Sequence, residues 1–287
     1  MTIGAVSSLE QEIPDAPSSL QDVGGEAAWG PGEGPIGEAR SLLEHQVEDF
    51  NVEYVCEREW KLVEPGFDSR FAGRPFSFLD VGGGNGAFAD RLLQRYPDAS
   101  ATVLDSAQVL LARNVAHPRK KLILGSAEHL ARTFRQSFDL IVFNWTLHHF
   151  VSSSYSGTRR LQRAILSQAR ALLSPEGAIS VFENLYNGLV LDGLPGRLIF
   201  HATASRAFAP VARRLGANTA GCGVCFLSRR QWEEEGRRAG LRVASYVEGF
   251  PKALSWGKKV ALNVGSVHHG HFFMTPASGS APSSLAP

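Results

Sequence analysis

From residue 76 onward the chain alternates short apolar runs with longer stretches whose apolar residues recur three and four apart. The run 76–81 is broken only by Ser77 and Asp80, and four glycines follow within the five residues 82–86. Residues 87–96 return to helical spacing, with Phe88, Leu92, Leu93 and Tyr96 able to share one face. A second run, 101–104, ends on Asp105; a helix over 106–114 then leads to a third strand at 121–124. The run 138–143 is nearly all apolar and reads as strand four. A helix over 158–173 places Leu161, Ile165, Ala169, Leu172 and Leu173 on one side, and Ser174-Pro175-Glu176-Gly177 turns the chain into strand five at 178–183. Strands that are apolar on both faces and separated by helices predict an α/β fold: a doubly wound, mostly parallel sheet with helices on both faces.

The pattern differs on either side of this core. Leu42, Leu43, Val47 and Phe50, then Val52, Val55, Trp60 and Val63, give two apolar stripes and predict N-terminal cap helices over 38–63. After Glu183 the alternation stops, and 184–227 reads as an insertion with short helices only. Ser228 and Gln231 have capping-box spacing, opening a helix that ends at Gly240. Strands follow at 241–248 and 270–274, the last expected at a sheet edge. These segments form one domain over 36–276, with its core at 76–183, a substrate insertion at 184–227 and C-terminal strands at 241–274. Residues 1–35 hold six glycines and four prolines, and 277–287 are of similar character; neither end has enough apolar surface to offset backbone entropy, so both are expected to be disordered tails.

Composition narrows the function classes modestly. Hydrophobic residues make up 44% and charged residues 20%, ordinary for a globular protein. The net charge of +1 hides an uneven distribution: the first 35 residues hold six acids and no Lys or Arg, leaving 29 − 22 = +7 for the remainder. That excess is dispersed, with no basic tract interleaved with aromatics, so no nucleic-acid partner is expected. Three cysteines, Cys56, Cys222 and Cys225, are too few for a disulfide scaffold. No apolar run approaches the roughly 20 residues that span a bilayer, and the start has no secretory or transit character. The expectation is a cytoplasmic protein with no membrane partner; oligomeric state is left open.

The glycine loop after strand one is the cradle for a nucleotide cofactor. Gly82-x-Gly84-x-x-Ala87 formally satisfies the dinucleotide fingerprint, and Asp105 lies 105 − 82 = 23 residues on, where a ribose-binding acid is expected. On that motif alone an NAD-dependent oxidoreductase is an open alternative. Asp80 weighs against it: a carboxylate just before the loop repels a diphosphate but attracts the sulfonium and ammonium groups of S-adenosylmethionine. Asp80-Val81-Gly82-Gly83-Gly84-Asn85-Gly86 resembles the first motif of the class I, Rossmann-like S-adenosylmethionine-dependent methyltransferases. The resemblance continues through Val103-Leu104-Asp105-Ser106, Gly125-Ser126-Ala127-Glu128, the stretch from Phe138-Asp139 to Leu147-His148-His149-Phe150, and Leu172-Leu173-Ser174-Pro175-Glu176-Gly177-Ala178. It covers 76–183 and implies a seven-stranded sheet whose last strand is antiparallel. By the same resemblance, S-adenosylmethionine is held by Asp80, Gly82, Gly84, Asn85, Gly86, Asp105 and Ser106, with Ser126, Ala127 and Glu128 near the adenine and Asn144 and Trp145 near the methyl donor. Many members carry Asp where this chain has Ser126, so the side chain that meets the adenine is open between Ser126 and Glu128.

Methyl transfer from a sulfonium asks chiefly for alignment, and for a base where the acceptor carries a proton. Candidates follow strands four and five: His149 and His148, whose imidazoles can titrate near neutrality, and Glu183 at the expected end of strand five. Against a catalytic role stands the frequency of Leu-His-His in methyltransferases of different substrates, and Glu183 is equally suited to a helix terminus. His268-His269-Gly270-His271 and Cys222-Gly223-Val224-Cys225 lack the two tight ligand pairs of a structural zinc site, so no metal is expected. The acceptor is expected to be a small molecule selected by 184–227, where Arg197, Arg206, Arg213 and Arg214 face one acid, Asp192. Besides the oxidoreductase, a protein that binds S-adenosylmethionine without catalysis is the remaining alternative.

Overall fold

The computed structural model describes residues 55–214 and 219–277. The expected disordered tail 1–35, the first cap helix and the last ten residues lie outside the described residues. Seven strands, β1 (Phe76–Val81), β2 (Ala99–Asp105), β3 (Lys120–Leu124), β4 (Phe138–Asn144), β5 (Leu173–Gly188), β6 (Leu241–Pro251) and β7 (Val264–Pro276), form one sheet in the order β3-β2-β1-β4-β5-β7-β6. β1 to β5 pair in parallel, and β7 is antiparallel to both β5 and β6. The strand order reverses between β1 and β4, and in such sheets ligands bind at the carboxyl ends near that switch point.

Side chains alternate across the sheet, and each face buries its own core. Phe76 and Phe78 of β1 join one core with α1 (Glu57–Phe71) and α2 (Ala87–Arg95), through Trp60, Phe67, Phe71, Phe88 and Leu92. Leu79 and Val81 join the other, with Leu161, Ile165 and Ala169 of α5 (Tyr155–Ala171) and Trp232 of α8 (Arg229–Arg238). Between these lie two four-residue helices, α3 (Gln108–Leu111) and α4 (Leu130–Thr133). The segment after β5 holds α6 (Leu194–Ala204) and α7 (Ala209–Arg214). A short α9 (Trp256–Ala261) precedes β7.

Phe67 is fully buried and packs on Trp60, Phe88, His271 and Phe273, with ring centroids 4.9 Å from Phe273. It ties α1 to both α2 and the antiparallel end of the sheet. Phe67→Ala should therefore cost about 3–5 kcal/mol, as for a large buried aromatic. Chemical denaturation reads this directly, and a loss below roughly 1 kcal/mol would show that the site collapses freely.

Several expected boundaries shift. The helix expected to end at 63 runs to Phe71 and lies along a sheet face. β5 does not stop at Glu183 but continues to Gly188, because β7 pairs with it over that whole stretch. β7 is not an edge strand: it inserts between β5 and β6, and Phe272, Phe273 and Met274 bury both of its faces. The capping box is present, with Ser228 accepting from the Gln231 N–H and Gln231 returning to the Ser228 N–H.

Candidate functional site

The glycine loop adopts its turn through left-handed residues: Gly82, Gly84 and Gly86 have φ of 69°, 53° and 75°. Space is as restrictive as conformation. A Cβ at Gly82 would lie 2.3 Å from Thr146 Oγ1. The loop hangs from β2, where Leu104 carbonyl accepts from Gly82 N–H at 2.7 Å. Asn85 Oδ1 accepts from Ala87 N–H, opening α2. Asn114, which no spacing rule singles out, donates to Gly84 carbonyl at 2.8 Å and clamps the loop from 30 residues away.

Two carboxylates converge there. Asp80 is 1% exposed beneath the loop, and its Oδ2 has no hydrogen-bond partner. Burial, reinforced by the negative Asp105 and offset by Lys120, pushes its carboxyl up to about 7. Asp105 accepts from Gly84 N–H at 2.9 Å and Ala107 N–H at 2.8 Å, which fixes its rotamer and leaves each oxygen a further lone pair. Burial raises its pKa too, and the backbone donors oppose that shift. A buried carboxylate oxygen lacking a donor, beside a second acid, fits a cationic ligand carrying vicinal hydroxyls. It does not fit a diphosphate.

Ser106 is exposed just past β2. Ser126 caps the 3-10 turn Ala127–His129 by accepting from Glu128 N–H, its hydroxyl also 3.4 Å from the Glu128 carboxylate; Ala127 is buried in the core. At the end of β4, both side-chain polar atoms of Asn144 are buried without a partner, a second orphan on the loop's side of the sheet. Trp145 has φ +48°, and its indole stacks on Phe182 at 5.1 Å and meets His269 edge-on, so the ring itself belongs to the α1-side core.

His148, just past the end of β4, and Glu183, within β5, form a dyad. His148 Nδ1 lies 2.6 Å from Glu183 Oε2, and His148 backbone N–H donates to Oε1 at 3.2 Å. Glu183 is fully buried. With β5 running on past it, Glu183 is not a free carboxylate facing an acceptor at a strand end; it is a buried group that orients His148. Burial pushes the Glu183 carboxyl up to about 8 and the His148 imidazole down to about 3, both toward neutrality. His149 packs 4.1 Å from His148 and is likewise held well below its ordinary value, first by burial and then by its neighbour.

The insertion folds back over this pair. Cys225 N–H donates to His148 carbonyl, and the Phe226 ring stacks on Tyr186 at 4.6 Å and lies 4.7 Å from His148. Sequence reading missed Phe226 because its only signal, an apolar flank to a cysteine pair, is common to any core segment. The β7 histidines have separate partners: Tyr246 and Glu248 for His268, Glu59 for His269, and Ser180 for His271. Among the described residues no cluster of His, Cys, Asp and Glu could hold a metal ion.

Residues 79–179 match the model of a methyltransferase domain. Two curated relatives are malonyl-[acyl-carrier protein] O-methyltransferases. The one from Geobacter sulfurreducens is 34% identical over 36% of this chain and 36% of its own length. The one from Priestia megaterium is 26% identical over 46% of this chain and 51% of its own. The chain thus spans about half or less of the length of these relatives. Among solved structures, a putative sarcosine dimethylglycine methyltransferase from Galdieria sulphuraria superposes with a TM-score of 0.51 at 15% identity, covering 77% of this chain and 85% of that one. At that identity the likeness is one of fold. Together the strand order, the glycine loop and the match over 79–179 make this part of the chain similar to a methyltransferase domain.

Proposed function

We propose that the protein transfers a methyl group from S-adenosylmethionine to an oxygen of a small-molecule acceptor, with His148, positioned by Glu183, taking the acceptor's proton. The observation that carries this reading is the 2.6 Å contact between His148 Nδ1, just past the carboxyl end of β4, and Glu183 within β5. When bound, S-adenosylmethionine supplies a methyl on a positively charged sulfur, which leaves as the thioether when the acceptor oxygen bonds to the methyl carbon. Asp80 would face the cationic end and Asp105 the ribose hydroxyls, with Gly82, Gly84 and Gly86 admitting the cofactor against the backbone. Ser106, Ser126, Ala127 and Glu128 line the way toward the adenine, and Asn144 would give its unpartnered amide to the donor. His148 presents Nε2 as base while Glu183 holds Nδ1 and offsets the charge that develops on the ring. His149 and the rings of Phe226 and Tyr186 form the adjoining wall, suited to a planar or apolar acceptor. Oxygen transfer accords with the activity in the names of the two curated relatives.

No helix among the described residues is long and apolar enough to cross a membrane. No disulfide joins the three cysteines, which accords with a reducing, cytoplasmic setting. We assign acceptor choice to 184–227 and no role in binding nucleic acid. The dyad's depth favours one competing reading, a structural tie between β4 and β5, which the pH profile discussed below distinguishes. Isothermal titration of the full chain with S-adenosylmethionine and with NAD tests the cofactor. Heat is expected with the former alone, and heat with NAD alone would overturn the assignment. Labelled methyl should then pass to a fraction of small-molecule extract; tight cofactor binding with no transfer to any fraction would leave a binding protein.

A further inference from the structure

Beyond the cofactor and acceptor site, the loop after β5 and α9 together expose an unusual amount of apolar surface. Leu189, Val190, Leu191, Trp256 and Val260 are between 52% and 80% exposed, and α9 has no buried residue. The exposure is built in. Leu189 N–H donates to Asn263 carbonyl at 2.8 Å and Val190 N–H to Asn263 Oδ1 at 3.3 Å, while the Asn263 amide donates to Leu191 carbonyl at 3.1 Å. Asn263 takes a left-handed φ of 53° to make these bonds. Gly188 is equally constrained, since a Cβ there would sit 2.0 Å from Leu191 carbonyl. A turn fastened at both ends thus leaves three consecutive apolar side chains exposed at Asn263, two residues past α9, on which Trp256 and Val260 share a face at i and i+4.

The charge of α9 is one-sided: it carries two lysines, Lys258 and Lys259, and no acid. The acid of the turn itself, Asp192, is directed inward, accepting from Ser228 Oγ at 2.5 Å and from Gly188 N–H. Exposed tryptophan and aliphatic side chains flanked by lysines are the composition of a surface that inserts shallowly into anionic lipid. We propose that the 189–191 turn and α9 form a peripheral docking surface for an anionic lipid bilayer. No spanning segment is needed for this, and it revises the expectation of no membrane partner, which weighed only a spanning one. The surface lies at the carboxyl end of β5, five residues beyond Glu183, or roughly 16 Å along the strand.

The test is co-sedimentation of the full chain with phosphatidylcholine vesicles with and without phosphatidylglycerol, together with tryptophan emission. Trp60, Trp145 and Trp232 are buried, so a blue shift on binding is read from Trp256 in a Trp29→Phe background, and Trp256→Phe should remove it. The parent is expected to bind vesicles containing phosphatidylglycerol, less so in high salt. Lys258→Glu with Lys259→Glu should abolish the preference for the anionic lipid. Serine at 189, 190 and 191 should weaken binding about tenfold or more while the melting temperature stays near the parent's, because those side chains are already in water. Failure of the parent to bind either vesicle overturns the proposal. So does binding without a shift in Trp256 emission. A parent that sediments as a concentration-dependent dimer, made monomeric by the serine variant, would assign the surface to a second copy of the chain instead.

Discussion

Glu183→Gln is expected to lower kcat by about 10²–10⁴-fold with little change in cofactor affinity, the scale on which a positioned base acts. The reason lies in which atoms the substitution swaps. His148 backbone N–H already donates to Oε1, so the glutamine oxygen takes that place and its NH₂ faces Nδ1. The ring must then carry its own proton on Nε2, the wrong tautomer for a base. The native dyad should show the same logic as a function of pH. Burial holds the Glu183 carboxyl at about 8, so below that it keeps its proton and gives it to Nδ1, again leaving Nε2 protonated. Loss of one proton from the dyad frees Nε2. The rate kcat/KM should therefore rise with pH and level off above about 8, with an apparent pKa belonging to the pair. His149 and Lys252 are the other charges that act on this pair, and both should leave the sign of the limb unchanged. Glu183→Asp, which restores the carboxylate at shorter reach, should recover part of the rate and the limb. A Glu183→Gln enzyme with the parent's rate and pH profile would make the dyad a structural tie.

Asp80→Asn should weaken S-adenosylmethionine binding by about 1.5–3 kcal/mol, the range for interactions with a charged partner. A second signature is harder to obtain by accident. Without ligand the Asp80 carboxyl is raised to about 7, first by burial and then by Asp105. A cation placed at its unpartnered oxygen draws that pKa back down, so binding near pH 6 must release a proton and affinity must rise with pH until Asp80 is ionised in both states. Titration in two buffers of different ionisation enthalpy counts this proton, and Asp80→Asn should remove it. Stability without ligand follows with its own sign. The folded pKa lies above the unfolded one, so the folded state binds more protons between them and stability falls as pH rises from about 4 to about 7. That loss should disappear in Asp80→Asn. An unchanged proton count would mean that the cation lies elsewhere.

Much of the architecture was legible along the chain because it depends on local pattern. β1, β2 and β4 are short apolar runs with turn residues at their ends, and a run of that kind can be buried only in a two-sided sheet. Position after β1 and the need for left-handed residues identify the loop at 82–86 without any contact being known. Where reading failed, long-range pairing decided. β5 reads as ending at Glu183 because Asn184, Tyr186 and Asn187 break the apolar run, yet pairing with β7 carries the strand to Gly188. β7 is read as an edge strand because chain order says nothing of its insertion between β5 and β6. Phe226, Asn114 and the Glu183–His148 contact join residues 30 to 78 positions apart, beyond any periodicity.

The loop, the acids beside it and the alternation of strands and helices along the core were determined by the sequence itself, since each follows from backbone freedom, apolar spacing or the sign of a charge within a few residues. Tertiary structure decided what those groups can do. It buried Asp80 without a donor, which turns a carboxylate into a detector of positive charge. It also placed Glu183 behind His148, which turns an adjacent pair of histidines into one oriented imidazole. Both outcomes depend on desolvation and on geometry across strands, and neither quantity exists until the sheet has formed.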